Sequence, residues 1–314
     1  MQKFRDEKGK RFSMEYQIIC DSACDLSMEM RKQYQIDVVP FYISFDQETY
    51  YKEIEDIGVR EVYQRMVDAP KNYLTSSLPS VQDYVDMFRK YVKMGRAVLC
   101  CTISAAFSGS YNSAANARQI VLDEYPEAQI EVIDSLGNTV TEGLFVLEAA
   151  RMQQAGYTLE QTTKVLRGGI SSTERIFFTV GNLDYLQHGG RIGKLAGIAG
   201  GLLNIKPLIV MKDGNIDSAG VVRSRKRSIL QTFDLLKKYF QETGDDPKDY
   251  RFMAGFGYDI QEALDYQKEV EKLVTELGGD AGDLPLIQIG ATTCVHTGPY
   301  SLGVGLIKKY ECYL

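Results

Sequence analysis

Three short polar segments of this 314-residue chain gather hydroxyls with a glycine or an imidazole in a pattern that could do chemistry. The first is Thr75-Ser76-Ser77-Leu78-Pro79-Ser80. The second runs from Ser104 through Ser108-Gly109-Ser110 to Tyr111, and the third is His296-Thr297-Gly298-Pro299-Tyr300. Hydroxyl donors, glycine N–H groups beside a helix start and a protonatable imidazole are what a small anion such as a carboxylate needs. The same groups could form a nucleophilic pair, with Ser76 or Ser108 attacking and His296 as the base. A plainer reading is also open, in which Ser80 caps a helix and Ser108 to Ser113 is a loop.

Familiar catalytic signatures fail. Gly189-Gly190-Arg191-Ile192-Gly193-Lys194-Leu195 has three residues between Gly189 and Gly193, and Leu195 stands where a P-loop needs a hydroxyl. Gly255-Phe256-Gly257 lacks the third glycine of a dinucleotide fingerprint, and no G-x-S-x-G elbow occurs. His188 and His296 are far apart, with no H-E-x-x-H context, so no metal site is expected. The six cysteines, Cys20, Cys24, Cys100, Cys101, Cys294 and Cys312, are scattered. Cys20 and Cys24 have no second pair at zinc-finger spacing, and reduced, buried thiols are the expectation.

The charge balance, 36 Lys+Arg against 42 Asp+Glu for a net −6, argues against a general nucleic-acid binder. At 44% hydrophobic and 25% charged, the composition is that of a globular protein long enough for one large or two medium domains. The first thirteen residues are charged and lack the apolar core of a secretory signal, and no run is long enough to span a bilayer. A cytoplasmic location is expected.

The elements that would position the polar segments alternate in the first half. Strand signals at Tyr16–Cys20, Ile36–Phe45, Ala97–Ile103 and Ile130–Ile133 are separated by helical periodicity after Asp21-Ser22, over Val59–Val67, from Ser80 to Gly95, and over Ser113–Asp123. A helix over Glu142–Gln154 follows, and Thr158 with Gln161 makes a capping box. This order predicts an α/β fold with a parallel sheet. From about Ser171 the texture changes. Ile176–Val180 is followed by a glycine-rich stretch, Gly189–Gly201, and by two apolar runs, Pro207–Lys212 and Ile216–Val222, joined by Asp213-Gly214 as in a hairpin. Helices at Lys226–Phe240 and Gln261–Leu277 then alternate with strands Arg251–Phe256, Leu286–Gly290 and Val304–Lys308. We therefore expect an N-terminal α/β domain over residues 14–170 and a C-terminal α+β domain with a mixed or antiparallel sheet over 171–314.

Read as whole motifs, the chain resembles the DegV family, bacterial fatty-acid-binding proteins that include the binding subunits of fatty acid kinase. The matching pieces are IICDSACDLS (Ile18–Ser27), TSSLPS (Thr75–Ser80), ISAAFSGSYNSA (Ile103–Ala114) and VIDS (Val132–Ser135). They continue with NLDYLQHGGRIG (Asn182–Gly193), LLNIKPLI (Leu202–Ile209) and HTGP (His296–Pro299), in family order. The resemblance implies a long-chain fatty acid lying between two domains. Its carboxylate would be held by hydroxyls of the first domain, with a histidine of the second nearby, and would be presented to a separate ATP-dependent kinase subunit. It implies no catalysis by this chain alone and no cofactor, and it is compatible with transient membrane contact. Oligomeric state, chain length and saturation are left open.

Carried over by position, the family's T-S-Q-P-S motif falls on Ser76-Ser77-Leu78-Pro79-Ser80. A shift of one residue would make Thr75 the carboxylate ligand instead of Ser76, so both stay in play. The S-G-T motif falls on Ser108-Gly109-Ser110, with serine for threonine. The H-x-G-P-G motif falls on His296 and Thr297, with Tyr300 replacing the last glycine. Arg191 and Arg223 match basic positions near the ligand mouth and the partner-docking face. The cluster Arg223-Arg225-Lys226-Arg227 sits at a helix start, where positive charge opposes the macrodipole. The apolar stretches Leu144–Met152 and Ala196–Leu203 are candidates to line the acyl tunnel or to pack as ordinary core, and His188 reads as a surface or turn histidine. A serine-type lipid esterase or thioesterase, and a regulatory binder of another lipid-like carboxylate, are the competing functions.

Overall fold

The computed structural model describes residues 4–5, 11–12, 16–199, 205–282 and 284–314. Two short antiparallel strands, β1 (Phe4–Arg5) and β2 (Arg11–Phe12), precede the main body. Next come β3 (Tyr16–Asp21), α1 (Met28–Tyr34), β4 (Asp37–Val39), β5 (Tyr42–Ser44), β6 (Tyr50–Lys52), α2 (Val59–Asp68), β7 (Thr75–Ser77) and α3 (Val81–Val92). The first half closes with β8 (Ala97–Thr102), α4 (Ser110–Glu124), β9 (Ile130–Asp134), α5 (Val140–Gln154) and α6 (Leu159–Gly168). The second contains β10 (Arg175–Thr179), α7 (Asp184–His188), α8 (Ala196–Ala199), β11 (Lys206–Lys212), β12 (Asn215–Val222) and α9 (Arg225–Thr243). It ends with β13 (Tyr250–Phe256), α10 (Ile260–Glu276), β14 (Leu286–Gln288), α11 (Ala291–Thr297) and β15 (Leu302–Lys308).

Strands β4-β3-β8-β9 form a parallel sheet, with Cys20 opposite Cys101 and Cys100 opposite Val132. The continuous apolar run of β8 is explained by cover on both faces. Val98 and Cys100 pack with Tyr84, Phe88 and Val121 of α3 and α4, while Leu99 and Cys101 point into a core built around Phe145 of α5. The second main sheet, β12-β11-β10-β15-β13-β14, is antiparallel except for β13 against β14. Its outer face is closed by α9 and α10 through Leu236, Phe240 and Tyr266.

Helix α5 is buried nearly all round, which is why its sequence shows no polar face. It lies between the sheets, so one apolar cluster joins Ile18 and Leu99 of the first to Ile209, Met253 and Ile307 of the second. Strand pairing passes from one sheet to the other between Asp134 and Arg175.

The expected strand Ile36–Phe45 is two strands in different sheets. Pro40 has no N–H to continue a ladder, so β4 stops at Val39 and β5 joins a separate antiparallel sheet, β6-β5-β7. Two further elements depart from the sequence reading. Thr75–Ser77, a polar segment given no element in the sequence reading, is strand β7, and α4 starts at Ser110 rather than Ser113. His296 sits on α11, which the sequence reading left unassigned.

Candidate functional site

Strand β7 pairs antiparallel with β5, placing Ser76 opposite the fully buried Ile43 and Thr75 opposite Ser44. Ser76 faces inward, and its Oγ lies 2.9 Å from Nε2 of His296. Thr75 is absent from the cavity lining, and its hydroxyl is buried without a partner among the described residues.

His296 reaches this position from the last turn of α11. The helix ends at Gly298, whose φ of 80° is left-handed and where a Cβ would run into the Tyr185 ring. The Nδ1 edge of His296 faces the backbone of Gly189 so closely that a Cβ there would overlap the imidazole. Nδ1 has no hydrogen-bond partner among the described residues. Burial, assisted by the nearby Arg191 guanidinium, holds the imidazole pKa down at about 4, so His296 is neutral at pH 7.

Ser108 comes from the other side of the cavity, on the turn before α4. Its Oγ accepts from the Ser110 N–H at 3.2 Å, and Gly109 is the N-cap residue. Ser110 itself faces inward: its Oγ donates to Asp21 at 2.6 Å and lies 2.6 Å from the Tyr84 hydroxyl. Burial pushes the Asp21 carboxyl up to about 6, against the lowering effect of these hydrogen bonds. The guanidinium of Arg191 ties the two sides together, donating to the Phe107 carbonyl at 3.1 Å and to its own loop at Gly189 at 2.7 Å. Ser104 makes a second tie, donating to the Gly214 carbonyl in the hairpin turn of the second sheet at 2.8 Å.

These residues border a cavity of about 200 Å³ between the sheets. Ser76, Ser77, Ser108, Arg191, His296 and Thr297 all line it. The remaining wall is largely apolar, with Phe41, Ile103, Phe107 and Val140 from the first half and Ile176, Phe178, Met211, Ile216 and Leu302 from the second. Gly255 and Gly303 also line it; a Cβ at Gly255 would press on Val140.

Other expectations fall elsewhere. Gly109 abuts Leu78 but does not line the cavity, and Thr297 directs its hydroxyl to the Thr293 carbonyl. Arg223 is exposed beyond β12, away from the lining. Its neighbour Arg225 is paired with Glu262 at 2.6 Å. Leu144–Met152 packs in the core, and only Val140 of α5 reaches the cavity. Of the expected lining Ala196–Leu203, residues 200–203 lie outside the described residues. His188 is exposed and stacked on Tyr73.

Sequence reasoning missed Asn138, Thr139, Thr292 and Thr293, which line the cavity from the start of α5 and from α11. Thr139 has a φ of 46°, strained for a β-branched residue, and nothing in its sequence context signals this. All six cysteines are free, five of them buried. Among the described residues no cluster of His, Cys, Asp and Glu is arranged to hold a metal, and no helix is long and apolar enough to cross a membrane.

A family model described as an uncharacterised protein of the DegV family matches residues 15–309. A DegV domain-containing protein of Clostridium acetobutylicum is 32% identical over 295 residues, covering 93% of this chain and 98% of that protein. Among solved structures, a stearic-acid-binding protein from Eubacterium ventriosum superposes with a TM-score of 0.88 at 46% identity, covering 95% of this chain and 99% of that one. A DegV family protein from Thermus thermophilus, described for its fatty acid binding, gives a TM-score of 0.81 at 26% identity, over 94% and 99% of the two chains.

Proposed function

The chain belongs to the DegV family, and we propose that it is a non-catalytic carrier that holds a long-chain fatty acid between its two sheets. The observation that carries this reading is the Ser76–His296 pair, 2.9 Å apart, at a cavity whose wall is otherwise largely apolar. A carboxylate is costly to bury without several donors. Ser76, Ser108 and the His296 imidazole offer them, and Ser77, Thr75, Gly109 and Thr297 flank them. Each buried methylene contributes about 0.8 kcal/mol, so a long acyl chain supplies the affinity and the polar end fixes its direction. The relatives crystallised as fatty-acid-binding proteins support the ligand class.

In this reading, residues 14–170 and 171–314 act as two domains, and the bound carboxylate is presented to a separate ATP-dependent kinase subunit. The carboxylate oxygen would attack the γ-phosphorus of ATP and release ADP, leaving an acyl-phosphate on the carrier. Arg191 sits at the rim to face that partner, and Arg223 is placed on the docking face. The five buried, unpaired thiols support a reducing, cytoplasmic compartment.

The Ser–His contact also favours the esterase reading, so the two must be weighed. A general base works best with a pKa near the operating pH and with its second nitrogen oriented by a partner. His296 is held near 4 and its Nδ1 has no partner among the described residues, so it is a poor base. Titration with stearate tests the carrier reading: Ser76→Ala should weaken binding tenfold to a hundredfold, the loss of about 1.5–3 kcal/mol for a hydrogen bond to a charged group. A chromogenic acyl ester should not be turned over. Hydrolysis that disappears in His296→Ala would reverse the assignment.

A further inference from the structure

We propose that Glu53, a residue outside the cavity, is the positioning residue that fixes His296 against Ser76. The proposal rests on the carrier reading only for its consequence in affinity. Glu53 follows β6 and is buried. Its Oε2 accepts from the Thr292 hydroxyl and from the Ser22 hydroxyl, each at 2.7 Å, and its Oε1 accepts from the Thr292 N–H at 3.2 Å. Ser22 in turn accepts from the Phe41 N–H at 2.9 Å, while the Glu53 N–H donates to the Phe41 carbonyl at 2.9 Å.

One carboxyl group therefore joins three separate pieces of the site. Thr292 is the second residue of α11, which carries His296 one turn further on. Phe41 leads directly into β5, whose Ile43 is the register partner of Ser76. Ser22 follows β3, at the C-terminal end of an interior strand of the parallel sheet. Helix α11 has no side chain of its own at its N-cap, because that residue is Gly290. A Cβ at Gly290 would collide with Asp25 Oδ1 and fall 2.7 Å from Glu53 Oε1, so the glycine is what lets Glu53 reach the first turn. Glu53 supplies the cap from the position just after β6, distant in sequence, and through Ser22 the same side chain is tied to Phe41, the residue that enters β5. The two halves of the Ser76–His296 contact, 220 residues apart, are thereby referred to one fixed point.

The chain has two histidines, and His188 is exposed on Tyr73, so ¹⁵N-histidine labelling gives a direct readout. In the lipid-stripped protein, Glu53→Gln should move the His296 ring-nitrogen shifts and leave those of His188 in place. Stearate affinity should fall at least tenfold. Ser22→Ala, which removes the hydroxyl bridge between the Glu53 carboxyl and the Phe41 N–H but leaves both Thr292 bonds, should give a smaller change of the same kind, and the exposed Glu48→Gln should match the wild type. A folded Glu53→Gln protein with unmoved His296 signals and affinity within twofold of wild type would overturn the proposal. If Glu53→Gln does not fold, Ser22→Ala decides it by the same signals. If the wild type fails to bind stearate while Glu53→Gln still moves His296, the carrier reading falls and the positioning role stands.

Discussion

At the scale of single residues, the burial of His296 decides its charge. A histidine that titrates near 6.5 when unfolded and near 4 when folded leaves the unfolded state holding more protons in between. Stability is then fully present above the unfolded value and falls as pH drops from about 6.5 toward 4. From pH 7 to 5 this group alone should remove about 2 kcal/mol from the wild type. His296→Asn should lack that part of the slope, which urea titrations at the two pH values measure. The raised carboxyl of Asp21 works in the opposite sense, holding its proton more tightly in the fold between about 4 and 6. The comparison must therefore be between variants and not within one curve.

At the scale of elements, the site depends on three short pieces that hold the side chains still: β7, α11 and the turn after α7. That turn brings Gly189 against the His296 ring, where a methyl group has no room. Gly189→Ala should displace the imidazole and weaken stearate binding by tenfold or more, with far-UV circular dichroism unchanged. Equal affinity would show that Gly189 does not set the ring position. These pieces were also the least legible in the sequence. The long elements, such as β8 with its unbroken apolar run and α3 with its Ser80 cap, announce themselves through period and composition. Three residues of Thr-Ser-Ser are too few and too polar to show strand alternation, and β7 exists because β5 offers it an edge. Helix α11, Ala-Thr-Thr-Cys-Val-His-Thr, is two turns without an N-cap side chain, so no local signal marks it. Motif order nominated Ser76, Ser108 and His296, but periodicity has nothing to say about contacts 220 residues apart. That Ser76 borders the cavity and meets His296 while Thr75 does not came only with the structure.

At the scale of the whole molecule, a single apolar cluster around α5 fastens the two sheets, and the cavity opens where their facing side chains give way to glycine and hydroxyls. A carrier built this way should deliver its cargo only in company. Loaded protein mixed with ATP and a separate fatty acid kinase subunit should yield an acyl-phosphate that hydroxylamine traps as a hydroxamate, and loaded protein with ATP alone should yield none. Trapping without the second subunit would make this chain an enzyme. The most direct test of the central claim is mass spectrometry of the purified protein, intact under native conditions and after solvent extraction. The expected result is a stoichiometric fatty acid of long chain, lost from the Ser76→Ala/Ser108→Ala double variant. A wild-type chain that carries no lipid, even after incubation with a panel of long-chain fatty acids, would contradict it.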